Sequence, residues 1–168
     1  MTQTTYLKDA AAKTMHIERT FAAPIAAVWQ AWTDSTLLDQ WWAPKPYKAV
    51  TKTMNFKEGG YWLYYMLGPE GDKLYAKAEY IKIVPFKSYE ATDAFTDENG
   101  VETDFPNMHW FVNFSEQGNH TLVTIDVHFD SEETMEKIVQ MGFKEGFSMA
   151  HENLDELLKK TTAEVRNN

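Results

Sequence analysis

Phe143-Lys-Glu-Gly-Phe-Ser-Met-Ala-His-Glu-Asn-Leu-Asp-Glu-Leu-Leu158 reads as part of an amphipathic helix that follows a long run of strand-like sequence. Phe143, Phe147, Ala150, Leu154 and Leu157 recur at steps of four, three, four and three, so one apolar stripe must find a partner. The partner on offer is the sheet that precedes the helix. Gly142 and Gly146 interrupt the stripe. Glycine inside a helix costs about 0.5 to 1 kcal/mol relative to alanine, so a close backbone approach or an internal space is expected beside them.

Upstream of that helix, from Ala49 to Phe129, the apolar period is two, which predicts strands near 48–56, 60–66, 73–84, 87–95, 107–115 and 120–129. The breaks carry turn chemistry at Gly59-Gly60, Gly68-Pro-Glu-Gly71, Pro85, Asn99-Gly100 and Gly118-Asn119, and connections this short favour an antiparallel meander. Residues 14–21 alternate as a further strand, making seven, with Arg19 the one charge on its apolar face. Two short helices follow it: one begins at Pro24 and carries Ile25, Val28, Trp29 and Trp32, and one is capped by Thr33-Asp34-Ser35 and carries Leu37, Leu38 and Trp41. Ser131, with Glu132 and Glu133 in the first turn, caps the closing helix, which is expected to run unbroken to about Lys160. The domain plan is an N-terminal extension over 1–13, a single domain over 14–162 and a frayed end over 163–168.

Composition narrows the function classes. The 168 residues suit one domain, and the formal charge of -9 without a Lys/Arg cluster opposes nucleic-acid or anionic-membrane binding. With no cysteine, disulfides, thiol nucleophiles and cysteine metal sites are excluded. No signal peptide and no apolar run near the about 18 residues needed to cross a bilayer is seen, so a cytoplasmic location is expected. Aromatic residues make up 14% of the chain, more than a minimal core needs and suited either to an aromatic core or to the lining of an amphipathic pocket.

The order of strand, two short helices, six antiparallel strands and a long helix is the helix-grip order. Arg19-Thr-Phe-Ala-Ala-Pro-Ile-Ala-Ala-Val-Trp-Gln-Ala-Trp-Thr33, Trp41-Trp42-Ala-Pro44, Gly59-Gly60, Pro85 and Gly142-Phe143 resemble successive motifs of the START-like (SRPBCC) superfamily. They match best the branch named after the activator of the heat-shock protein 90 ATPase. The resemblance implies an α+β, Bet v-type fold in which a seven-stranded antiparallel curved sheet, two short helices and a long C-terminal helix enclose a cavity. It also implies that the space between sheet and helix holds apolar or amphipathic small molecules. Phe143 stands where the family commonly has tryptophan and Ala78 where a strand glycine is common, so the cavity is expected to differ in shape from its relatives.

The candidate ligand-binding residues follow from parity and position. Trp62, Tyr64 and Met66 share one face of their strand, and Trp110 shares a face with Val112 and Phe114; both rows line either a cavity or a filled core. Trp41 and Trp42 precede two prolines, where they gate a cavity mouth, or one ring enters the core while the other closes the lid. Gly142, Phe147 and His151 lie along the helix, with His151 at the edge of the apolar stripe. Glu79 falls by parity among Tyr75, Ile81 and Ile83, which makes it a partly buried carboxylate unless Tyr80 takes the inner face. The five histidines lack metal-ligand spacing, and the acidic loop 96–104 lacks calcium-loop spacing, so neither metal nor cofactor is expected. His109 and His128 sit on adjacent expected strands without a third orienting group.

The expected function is non-catalytic binding of a small hydrophobic or amphipathic ligand. The alternatives are a co-chaperone-like protein-interaction module, marked by a large exposed apolar patch, and a cyclase- or hydrolase-like enzyme. The latter needs ionisable groups such as Glu79 with His109 or His151 converging on one cavity.

Overall fold

A computed structural model describes residues 3–166, with side chains up to Thr161. Eight strands form a single antiparallel sheet: β1 (Thr5–Asp9), β2 (Thr14–Phe21), β3 (Lys48–Met54), β4 (Tyr61–Leu67), β5 (Lys73–Val84), β6 (Ser88–Thr96), β7 (Met108–Gln117) and β8 (His120–His128). Their order across the sheet is β1-β2-β8-β7-β6-β5-β4-β3, so the meander β3 to β8 is joined by β2 and the two edges are β1 and β3. The helices are α1 (Ile25–Thr33), α2 (Ser35–Trp41), α3 (Glu132–Gln140) and α4 (Phe143–Arg166).

Seven of the strands lie where alternation places them; the eighth, β1, corrects the expected count. It pairs with β2 from Thr5 opposite Glu18 to Asp9 opposite Thr14, yet only Tyr6 among its residues is partly covered, so it has no apolar alternation to read. Tyr6 fixes it to α4: its hydroxyl donates to the Lys144 carbonyl at 2.9 Å and pairs with Ser148 Oγ at 2.9 Å. At the other end of the chain, α4 remains helical to Arg166 within the segment expected to fray, while residues 1–2 and 167–168 lie outside the described residues.

A second correction concerns the closing helix, which is two helices. Ser131 Oγ accepts from the Thr134 amide at 3.1 Å and starts α3 as its sequence suggests. The break falls at Met141 and Gly142, where Gly142 adopts φ 88° and its amide donates to the Val139 carbonyl at 3.0 Å. A left-handed residue of this kind ends one helix and redirects the chain into the next. A Cβ at Gly142 would meet nothing within 4 Å, so the cost of Gly142→Ala is purely conformational. That variant is expected to lose about 1 kcal/mol, seen as a lower urea midpoint with an unchanged slope.

The core lies between the concave sheet face and the helices. Trp32 and Trp41, each 1% exposed, pack edge to face at 4.9 Å, and the Trp41 indole donates to the Ala31 carbonyl at 2.9 Å. Asp34 caps α2 by accepting from the amides of Thr36 and Leu37, which holds that helix beneath α4. Asn153 of α4 donates to the Ala43 carbonyl at 3.1 Å and ties down the segment after α2. Around Trp29 the interior is densely packed: its ring meets those of Phe56, Tyr89 and Phe114 at 5.1 to 6.3 Å, and Val112 is fully buried.

Candidate functional site

The interior is not filled at the other end of the sheet. A cavity of about 210 Å³ lies between α4 and the ends of β4 to β7. Trp42, Tyr64, Phe95, Trp110, Phe143 and Phe147 supply its aromatic walls, with Met66, Ala76 and Met108 on the sheet side. Leu74 and Met141 belong to the lining yet are 47% and 59% exposed, so they mark the open side, next to the α3–α4 break. Ala76, in a cross-strand row between Tyr64 and Phe95, leaves volume that a larger residue would close.

Local interactions hold the walls in place. Trp42 follows α2 directly, and its indole donates to the Tyr64 hydroxyl at 2.9 Å. Tyr64 stacks on Trp62 at 3.9 Å with an interplanar angle of 20°, and Trp62 in turn donates to Thr51 Oγ1 at 3.0 Å. Phe143 and Phe147 stack on each other at 5.3 Å, and both present their planes near perpendicular to Trp110. Rings so interlocked have few rotamers left, which keeps a void open without collapse. Gly146 faces Pro44, whose Cγ would stand 3.4 Å from an added Cβ, so this glycine serves the close approach of α4 to the loop after α2.

Of the residues singled out in the sequence, Trp42, Tyr64, Met66, Trp110, Gly142 and Phe147 meet at this cavity. Four do not. Trp41 is in the core, and Trp62 lies one layer behind Tyr64. Glu79 corrects the expectation of a buried carboxylate: Tyr80 takes the inner face at 4% exposure, while Glu79 points outward and pairs with Lys77 at 3.0 Å. The physical reason is a bulge between Tyr80 and Lys82, which switches parity and lets Ile83 pack against the core although it shares Glu79's parity in sequence. His151 is 1% exposed and lies away from the cavity among Phe21, Trp32, Trp41 and Phe147. Its Nδ1 pairs with Thr4 Oγ1 at 2.8 Å, and burial, followed by the nearby Arg19 charge, holds its pKa down at about 3, so the ring is neutral.

His109 and His128 do stand opposite each other, but on the convex face, where His109 Nε2 pairs with Glu90 at 2.7 Å. Glu79, His109 and His151 therefore do not converge, and the pairing that a cyclase- or hydrolase-like reading required is not assembled. Among the described residues no group of His, Cys, Asp and Glu is arranged to hold a metal, and no helix is long and apolar enough to cross a membrane.

The residue that sequence reasoning missed is Asp93. It lies in a cross-strand row between Ala78 and Met108, pointing inward, and is the one carboxylate in the cavity wall. Burial pushes its pKa up to about 7. No protein hydrogen bond or ion pair reaches its carboxyl among the described residues, and the part of its surface left uncovered faces the void. The signal was present in parity: Tyr89, Ala91, Asp93 and Phe95 share one face of β6, an apolar row with a single acid in it.

Comparisons with known proteins agree with this architecture. A solved structure from Arthrobacter aurescens is 34% identical over 93% of this chain and 91% of its own, with a TM-score of 0.87. Protein Ms6760 from Mycobacterium smegmatis is 28% identical over 94% of this chain and 99% of its own, at a TM-score of 0.86. A protein from Staphylococcus epidermidis is 29% identical over 94% of both chains, at 0.82. No curated protein matches the chain. Residues 22–159 match the family model described as activator of Hsp90 ATPase homolog 1-like protein, so with its helix-grip sheet and α4 roof the chain belongs to that family, within the START-like superfamily.

Proposed function

We propose that this domain binds a small apolar or amphipathic molecule in the cavity under α4 and does not transform it. The observation that carries the reading is the void itself. Protein interiors pack like organic crystals, with few voids above the size of a water molecule, so an aromatic-walled space of about 210 Å³ beside a filled core calls for an occupant. Pockets for drug-sized ligands run from roughly 300 Å³ upward, which restricts the occupant to something smaller. The family supports a ligand-binding or co-chaperone-like module in general. Binding in the cavity ranks above docking to a chaperone because the exposed large apolar residues outside the cavity mouth of Leu74 and Met141, among them Leu7, Tyr61, Phe86 and Val101, are distributed over separate strands and loops.

Native mass spectra of protein purified from cells, before and after denaturation, test this directly. A discrete extra mass that disappears on denaturation is expected. As a second readout, Trp42 and Trp110 in the wall should respond by fluorescence to a panel of single-ring aromatic and short-chain aliphatic compounds. Ala76→Leu, which projects into the void, should weaken that response by about tenfold or more. Bare protein that answers to none of the panel would overturn the reading and leave protein interaction as the better account.

A further inference from the structure

We infer that the cavity's ligand is a small molecule combining one aromatic ring or a short apolar chain with a protonated amine, and that Asp93 receives the ammonium. The inference rests on the cavity-binding reading above and adds the chemistry of the head group.

Size sets the first limit. An apolar cavity of about 150 Å³ in another protein accepts benzene, so about 210 Å³ admits one ring and a tail of a few atoms. Charge sets the second. Tyr64 and Asp93 are the ionisable side chains in the lining, and no Lys, Arg or His belongs to it. An anionic ligand would meet an acid with no cation to offset it, while the chain as a whole carries -9. A neutral apolar ligand would cover Asp93 and leave a buried carboxyl without a hydrogen-bond partner, which is costly. An ammonium corrects both, because it donates to the carboxylate and sits against ring faces that attract cations. Trp42, Tyr64, Phe95 and Trp110 supply those rings around the same space.

Protonation is consistent with this chemistry. The charged forms of Tyr64, Tyr80 and Tyr89, on three adjacent strands, are disfavoured by burial first and then by neighbouring negative charge, that of Asp93 for Tyr64 and Tyr80 and those of Tyr80 and Asp93 for Tyr89, so all three remain neutral phenols. Asp93 is therefore the group in this region that changes charge near neutral pH, and an ammonium would draw it into the ionised form.

The test uses phenethylamine, 2-phenylethanol and propylbenzene, which match in size and differ in ending as ammonium, hydroxyl and methyl. Tryptophan fluorescence and calorimetric titrations of the full chain at pH 8 are expected to give phenethylamine an affinity at least about tenfold above the other two. Asp93→Asn should bring the three to within about threefold of one another, and lowering the pH to 6 should weaken amine binding in the parent without a matching change for propylbenzene. Propylbenzene or phenylethanol binding as tightly as the amine, or an amine preference that survives Asp93→Asn, would overturn the inference while leaving cavity binding intact. No response to any of the three would remove both.

Discussion

Asp93→Asn should match the parent protein in stability at pH 4 and exceed it increasingly as the pH rises to 8, by up to about 4 kcal/mol. The sign follows from proton counting. Asp93 has a folded pKa of about 7 against an ordinary value of 3.8, so between these limits the folded state holds a proton that the unfolded state has released. Stability then falls by about 1.4 kcal/mol per pH unit over that window and stays low above it. At pH 4 the neutral acid and the amide have similar polarity and volume, so the curves start together. Subtracting one variant's curve from the other removes the contribution of every other carboxylate. The size is an upper bound, because water entering the open side of the cavity solvates the anion. Urea midpoints at pH 4, 6 and 8 measure it. Parallel curves would mean that the Asp93 carboxylate is already solvated in the folded protein, and the cavity would have to be wetter than its aromatic walls suggest.

The contrast between Asp93 and Glu79 shows what was legible in the sequence. Each is the one acid on its own parity within its strand, and period-two parity offers each an inner face. Parity is reliable only while the strand is regular. β6 is regular through Asp93, so its row from Tyr89 to Phe95 is readable; β5 carries a bulge after Tyr80, which no residue type announces, so parity alone does not decide between the inward register of Glu79 and the one with Tyr80 inside that the protein adopts. The same distinction explains the rest. Strands with one buried face, such as β2 and β8, write their alternation into the sequence, whereas β1 is an exposed edge held by its backbone pairing, by Tyr6 and by the Lys8–Glu136 ion pair, none of which leaves a period in the sequence. Gly142 stands out in the sequence as a helix defect, but only its backbone angle shows that it separates two helices. Parity and helical spacing point to Trp42, Tyr64, Trp110 and Phe147 as wall rings but do not single out Phe95 and Phe143. Which inward rings line a void and which fill the core depends on the layer to which each belongs, as Trp62 behind Tyr64 shows.

A second large effect is expected at Asp155, where removing one partner strands the other. Arg19 is the charge on the apolar face of β2, and it is 5% exposed. One guanidinium nitrogen donates to Asp155 on α4 at 2.5 Å and another to Thr4 Oγ1 at 2.8 Å. Thr4 in turn meets His151, so the ion pair joins the N-terminal segment, the sheet and α4. Asp155→Ala leaves the guanidinium buried with a single neutral acceptor, for which losses of about 3 to 5 kcal/mol are typical. Because Asp155 lies at the edge of a polar groove and is 27% exposed in its side chain, water can reach the vacated position and the expected loss is near the lower limit, about 3 kcal/mol. Arg19→Met should cost less, since the thioether fills the same slot and Asp155 is left in contact with water. Adding Asp155→Ala to Arg19→Met should then cost almost nothing more, which gives the pair a coupling energy of about 2 kcal/mol or greater. Arg19→Met should also raise the pKa of His151 in an NMR titration, because the Arg19 charge opposes protonation there, although burial keeps the ring neutral at pH 7. If Asp155→Ala instead loses less than about 1 kcal/mol, the pair behaves as an exposed one. The seating of α4 on the sheet would then rest on its apolar stripe, through Phe147, Ala150, Leu154 and Leu158, and on neutral hydrogen bonds such as those of Tyr6, and the cavity roof would owe its position to packing rather than to charge.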